Sequence, residues 1–228
     1  MKKALIYRDD KTQKFWTVDC SGCDFCVHYG RCGTIGKFQI KEFQSEQACA
    51  AAAERLLREK LKKGYREDPG FDFDGQLYLD DEEVGVHPKT CHPRFLRRFT
   101  EAFYYDCTDE DSPFGSDEGA DVLDALGTAL RRRRDFDFCT LPRRLIEEDW
   151  GMDYLPPEAG EAPKREQDCV QSDLVTYSTA FAEIKITGRS TPVLRERAVG
   201  SLQRLQRLLG ESEQRTRMIE DLRSYRDE

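Results

Sequence analysis

Apolar and polar positions alternate through the first 43 residues and switch to a helical period after residue 45. Ala4–Tyr7 is a short apolar run. Lys14–Cys20 alternates around Phe15, Trp16 and Val18. Ser21–Gly22 marks a turn, and Phe25–Arg31 is the returning strand of a hairpin. Gly33–Thr34–Ile35–Gly36 marks a second turn, whose two glycines are free to take positive φ. Lys37–Phe43 is a further alternating strand, with Phe38 and Ile40 on one side and Lys37, Gln39 and Lys41 on the other. Ser45 then reads as an N-cap, with Glu46 placed well in the first turn. Cys49, Ala53, Leu56, Leu57 and Leu61 repeat at helical spacing, Lys60, Lys62 and Lys63 crowd the last turn, and Gly64 is the stop. The module expected is a curled antiparallel sheet with a helix packed on one side.

The pattern loosens after residue 65. Asp68–Pro69–Gly70 reads as a linker, and the acidic stretch through Glu83 as loop. His92–Pro93–Arg94 opens a helix that runs to Thr100, and Asp106–Gly115 is irregular and acidic. Ser116 or Asp117 caps a helix to about Arg132, apolar at Ala120, Leu123, Leu126, Gly127 and Leu130. Residues 151–168, with Pro156, Pro157 and Pro163, read as loop. Helices follow at about 169–186, 192–209 and 211–225, with Gly188 and Gly210 as stops and Pro192 in a first turn. No internal repeat is visible. The fold class expected is α+β: a small antiparallel sheet with one packed helix over 1–68, then a mostly α-helical, acidic domain over 69–228.

Composition narrows the setting. The 228 residues are 38% hydrophobic and 35% charged, a polar mixture that still folds. No apolar run approaches a membrane span, and the N-terminal apolar stretch meets Arg8–Asp9–Asp10 too soon for a signal-peptide core, so a cytoplasmic protein with no membrane partner is expected. Nine cysteines, six of them scattered singly from Cys32 onward, do not form a secreted disulfide framework and are expected to be free thiols. The net charge of −8 is uneven: residues 1–68 carry +4, and the rest −12. The head can approach polyanions, whereas the body resists them or suits a basic protein.

Four constellations carry candidate chemistry. Arg31, Lys37 and Lys41, with Lys60, Lys62 and Lys63 as further members, are cations that could gather on a surface for phosphate; the plainer readings are solvated sheet-face charges, or an Arg31 buried as a structural hydrogen-bond fork. Cys20, Cys23, Cys26 and His28, with Cys32 near, have ligand types that suit Zn²⁺. Strand alternation spreads Cys26, His28 and Cys32 along one face and no second C-x2-C pair exists, so ordinary hairpin cysteines and no bound metal or cofactor are expected. The acids from Asp106 to Asp121 read as a capped helix start or a dock for a basic partner, without the spacing of a calcium loop. Arg131–Arg134 read as cations favoured by a helix C-terminus. Catalysis has little to stand on: His87, Cys91 and His92 are the one Cys/His grouping in a loop, and no phosphate loop or nucleophile elbow is present.

The first 68 residues resemble the WGR domain family. Tyr29–Gly30–Arg31 stands where the family has Trp-Gly-Arg, keeping the aromatic but not the Trp. Phe15–Trp16 precedes the hairpin, Gly33–Thr34 and Gly36 follow the Arg, Lys41 and Phe43 fall on the next strand, and Lys60 and Lys63–Gly64–Tyr65 close the helix as the family's helix closes. The resemblance implies nucleic acid as partner, since in the poly(ADP-ribose) polymerases such domains contact DNA ends with the aromatic and the Arg near the backbone. It assigns that contact to Tyr29, Gly30, Arg31, Lys37 and Lys41. No polymerase catalytic domain matches residues 69–228. That part, through Phe103–Asp121 and Ala180–Gly188, is similar to uncharacterised bacterial proteins joining a WGR domain to helices. The function expected is non-enzymatic binding of nucleic acid, DNA ahead of RNA. The alternative is a protein-interaction or immunity-type protein whose acidic helices bind a basic partner.

Overall fold

The computed structural model describes residues 1–160 and 165–227; Pro163, within the stretch expected to be loop, lies outside them. The chain divides into two compact units, Met1–Cys91 and His92–Glu228. Each is described by itself.

The first unit is built on β1 (Lys2–Arg8), β2 (Gln13–Ser21), β3 (Asp24–Arg31), β4 (Lys37–Glu42) and the short β5 (Arg66–Glu67), with α1 (Glu46–Lys62) between the last two. The sheet order is β4-β3-β2-β1-β5 and each pair is antiparallel. One face carries Leu5, Trp16, Val18, Cys20, Phe25 and Val27, which bury against Cys49 and Ala53 of α1, with Leu56 and Leu57 at the margin. The Ser45 hydroxyl accepts from the Ala48 amide at 3.2 Å and caps the helix as the sequence implies. At the other end the Tyr65 amide donates to the Lys60 carbonyl at 3.2 Å and the Gly64 amide to the Leu61 carbonyl at 3.0 Å. This is a Schellman motif, made possible by the positive φ of Gly64, and it turns Tyr65 back under the last turn.

The opposite face is also buried, which the sequence pattern does not reveal. Phe15, Thr17, Cys26, His28, Phe38 and Ile40 lie on it, shielded from solvent. The cover is the stretch read as linker and loop: Phe71 packs on Phe15 with ring centroids 5.8 Å apart, and Tyr78 on Phe38 at 5.5 Å. The buried Asp81 carboxylate accepts from the Ile40 amide at 2.6 Å, satisfying the edge strand. Lys89 ties the end of this cover down, donating to the carbonyls of Ser21 (2.7 Å) and Asp24 (2.9 Å). The stretch from 69 to 91 thus counts with the first unit.

The second unit packs α2 (Pro93–Arg98), α3 (Asp117–Arg132), α4 (Leu141–Arg144) and α6 (Pro192–Leu209) about α5 (Glu166–Thr187), with α7 (Glu213–Ser224) on α6. α5 begins three residues before the position expected from sequence. α4, which runs into a π-helical turn at Leu145–Asp149, lies where no helix was expected. From Cys169 onward almost all of α5 is buried, so it shows no single apolar stripe. Some of its buried polar side chains bond within the unit, while the Ser178 hydroxyl and the Gln171 amide oxygen find no hydrogen-bond partner among the described residues. Thr176 and Thr179 hydroxyls donate to carbonyls one turn back at 2.6 and 2.7 Å. Asp173 accepts two bonds from the fully buried Arg204 of α6, at 2.7 and 2.9 Å. The acids before α3 are partly used by the fold: Asp111 accepts from Ser212 and pairs with Arg215 at 3.2 Å, and Asp109 accepts from Gln214 at 2.6 Å.

Candidate nucleic-acid interface

The helix-side face of the sheet continues beyond the end of α1. Cross-strand register sets Lys14 opposite Arg31, and Trp16 opposite Tyr29, which in turn lies opposite Lys37. Residues two apart share a face, so Lys14, Trp16, Tyr29, Arg31 and Lys37 all point to the same side. The last turn of α1 brings Lys60 onto this patch. Its ammonium lies 5.6 Å from the Trp16 ring, 6.0 Å from Tyr29 and 5.3 Å from Tyr65. Trp16 is buried, whereas Tyr29 is 38% exposed and is one of the few large apolar side chains on the surface.

The electrostatics of this patch favour an anion. Desolvation lowers the Lys60 pKa, and the neighbouring charges of Lys63 and Lys14 lower it further. Among the described residues, Lys14, Arg31, Lys60 and Lys63 have no carboxylate within ion-pair distance. Three aromatic faces partly compensate Lys60 through cation–π attraction, which leaves the ammonium available to a phosphate oxygen.

Tyr29, Arg31 and Lys37 therefore lie on one side of the sheet, although Lys37 also lies 3.9 Å from the exposed Glu82. Lys41 does not join them. It sits opposite Phe25, four residues along β4 from Lys37, so about 13 Å separates the two at the usual rise of a strand. Gly30 faces the other side: a Cβ there would lie 2.7 Å from the Gly36 Cα and 3.3 Å from the Phe15 ring. Gly36 has a φ of +79°, and a Cβ on it would lie 2.6 Å from the Tyr29 carbonyl oxygen. These glycines let the turn fold back onto β3 and so fix where Tyr29 and Arg31 stand. Lys14 was missed by sequence reasoning; its alternation with Trp16 on one strand is the signal that could have found it.

The cysteine–histidine set is dispersed by the pleat. Cys20 points toward α1, where its sulfur lies 3.4 Å from that of Cys49. Cys26 and His28 are buried on the opposite face, and Cys23 and Cys32 are exposed. Burial pushes the Cys26 thiol up to about 12 and holds the His28 imidazole down to about 4. The His28 ring stacks on Phe38 at 3.8 Å, and its Nε2 donates to the Ile35 carbonyl at 2.6 Å. Among the described residues no group of three or more His, Cys, Asp or Glu could hold a metal ion, and no helix is long and apolar enough to cross a membrane. The Cys91 thiol donates to the His87 carbonyl at 3.4 Å, and His92 Nδ1 caps α2 by accepting from the Arg94 amide at 3.1 Å. These are structural contacts.

The family model of the WGR domain matches residues 1–72. The chain is 45% identical over 213 residues to "Uncharacterized protein YfeS" of Escherichia coli (strain K12), covering 90% of this chain and 87% of that protein. It is 44% identical over 63 residues to "Protein YehF" of the same strain, covering 28% of this chain and 23% of that protein. A crystal structure of a Bacteroides fragilis protein, a structural-genomics target, is 31% identical, covers 45% of this chain and 30% of that one, and superposes with a TM-score of 0.30. The chain thus belongs to one family with YfeS and carries at its N-terminus a WGR domain, a domain of nucleic-acid-binding type.

Proposed function

We propose that the protein is a non-enzymatic binder of nucleic acid, acting in the cytoplasm, and that its first unit contacts the phosphodiester backbone. The observation that carries this reading is Lys60: a half-buried ammonium on three aromatic rings, crowded by Lys14 and Lys63 and beside the exposed Tyr29. Arg31, Lys37 and Lys14 extend the patch, so one strand of backbone would meet several cations on one surface. Tyr29 would lie flat against a sugar or a base, adding contact that is indifferent to sequence. The resemblance of Tyr29–Gly30–Arg31 and its flanks to WGR domains that contact DNA supports the reading of DNA ahead of RNA. The test is fluorescence anisotropy of the full chain with short labelled DNA and RNA duplexes at low and moderate salt. Binding is expected at low salt, weaker at higher salt, tighter for DNA, and reduced several-fold by Arg31→Ala. Absence of binding to both duplexes at low salt refutes the proposal.

A further inference from the structure

The second unit holds a pocket that the nucleic-acid reading does not use. We propose that it binds a small phosphomonoester whose phosphate is attached to a flat or apolar group, the size of a nucleoside monophosphate. The concavity has a volume of about 360 Å³, within the range of small-molecule sites. Arg143 and Arg144 line it from α4 and Arg197 from α6, against the single acid Glu148. Three guanidiniums and one carboxylate line the concavity itself, in a part of the chain that is acidic overall. A phosphate dianion matches the planar forks of several arginines.

The guanidiniums are held in place but weakly occupied. Arg143 lies over the Tyr154 ring at 5.8 Å, and Arg144 over the ring of Phe136, outside the lining, at 5.2 Å, contacts that restrain both side chains. Arg143 reaches Glu147 at 3.6 Å and Arg197 reaches Glu158 at 3.2 Å, pairs between exposed groups that a doubly charged ligand can replace. Arg144 has no ion pair among the described residues. The part of the lining made by Tyr154 and Pro156, with Arg143 over the Tyr154 ring, is firm. Tyr154 is buried and shares a 3.2 Å hydrogen bond with Thr176, and Arg204 anchors the neighbouring carbonyls of Leu155 (2.7 Å) and Pro156 (3.1 Å). Such a wall suits the flat part of the ligand. The π-helical turn Leu145–Asp149 forms the rim, burying Leu145 and Ile146 while leaving Glu148 at the pocket; widened turns of this kind recur at functional sites.

The test is calorimetric titration of the full chain with adenosine 5′-monophosphate, inorganic phosphate and adenosine. Saturable binding of the monophosphate is expected, with phosphate weaker and adenosine silent. Arg144→Ala should weaken the monophosphate at least about tenfold, as should the milder Arg144→Gln, with circular dichroism unchanged. Arg31→Ala should leave it as it was, which separates this pocket from the proposed nucleic-acid surface. No heat at millimolar monophosphate overturns the proposal. So does binding that survives both Arg144 variants, or that is lost only with Arg31→Ala.

Discussion

Lys60 sits where its charge is poorly solvated and repelled by two neighbours, so its place in the free protein is unfavourable in a way a bound phosphate would relieve. Lys60→Met keeps the aliphatic stem over Trp16 and removes only the charge. That variant should bind duplex several-fold more weakly in anisotropy yet melt no lower than the parent; a clear fall in Tm would mark Lys60 as structural. His28 carries a different prediction, about pH. Its folded pKa of about 4 lies below the ordinary value, so on acidification the unfolded chain takes the proton first. Its contribution is intact above about pH 6.5 and is lost as pH falls toward 4, by roughly 3 kcal/mol at most. Urea unfolding at pH 7, 5.5 and 4.5 should show His28→Gln losing less stability over that window than the parent; equal losses would place the sensitivity elsewhere. Alternation grouped Lys37 with Gln39 and Lys41 on one side of its strand but left open whether Arg31 is exposed or buried. It could not tell how closely the turn folds back on β3, where a Cβ on Gly30 would lie 2.7 Å from the Gly36 Cα.

Secondary elements were legible where a period or a cap announces them, and the irregular pieces were not. Ser45, Gly64 and Ser116 delimit helices in the structure as they do in the sequence, because each supplies a hydrogen bond or a backbone angle that the chain needs at that point. The cover from Phe71 to Asp81 has no period to read: its aromatics meet the sheet from a chain that follows neither a helix nor a strand. α4 was hidden for a related reason, since four residues ending in a π turn are too short for a helical period to emerge. The cover has a measurable consequence. A fragment ending at residue 68 would bare Phe15, His28, Phe38 and Ile40 and leave the Ile40 amide without the Asp81 carboxylate. A fragment of residues 1–91 should therefore give a dispersed NMR spectrum and a cooperative melt, whereas 1–68 should not. In the full chain, Asp81→Ala should cost about 1–3 kcal/mol by leaving that buried donor unmet. A well-folded 1–68 fragment would show that the cover is dispensable.

For the molecule as a whole, the decisive quantity is how few cations must do the binding. A net charge of −8 gives no long-range attraction to a polyanion, so affinity must come from short-range phosphate contacts made by the patch itself. Lys14, Arg31, Lys60 and Lys63 are its members without carboxylate partners, and Lys37 is shared with Glu82. If each unpaired cation neutralises one phosphate, the slope of log affinity against log salt on duplex should be about −3.5, shallower than for strongly basic DNA-binding proteins. Lys60→Met should bring that slope closer to zero by about 0.9, since it removes one released counterion and little else. Lys41→Met, four residues along β4 from Lys37, should leave the slope alone. Titrations at four or five salt concentrations resolve differences of this size. A slope near zero would mean that the aromatic surface, not the cations, makes the contact. Equal losses from Lys60→Met and Lys41→Met would mean that the polyanion follows the length of β4 instead of gathering where α1 ends.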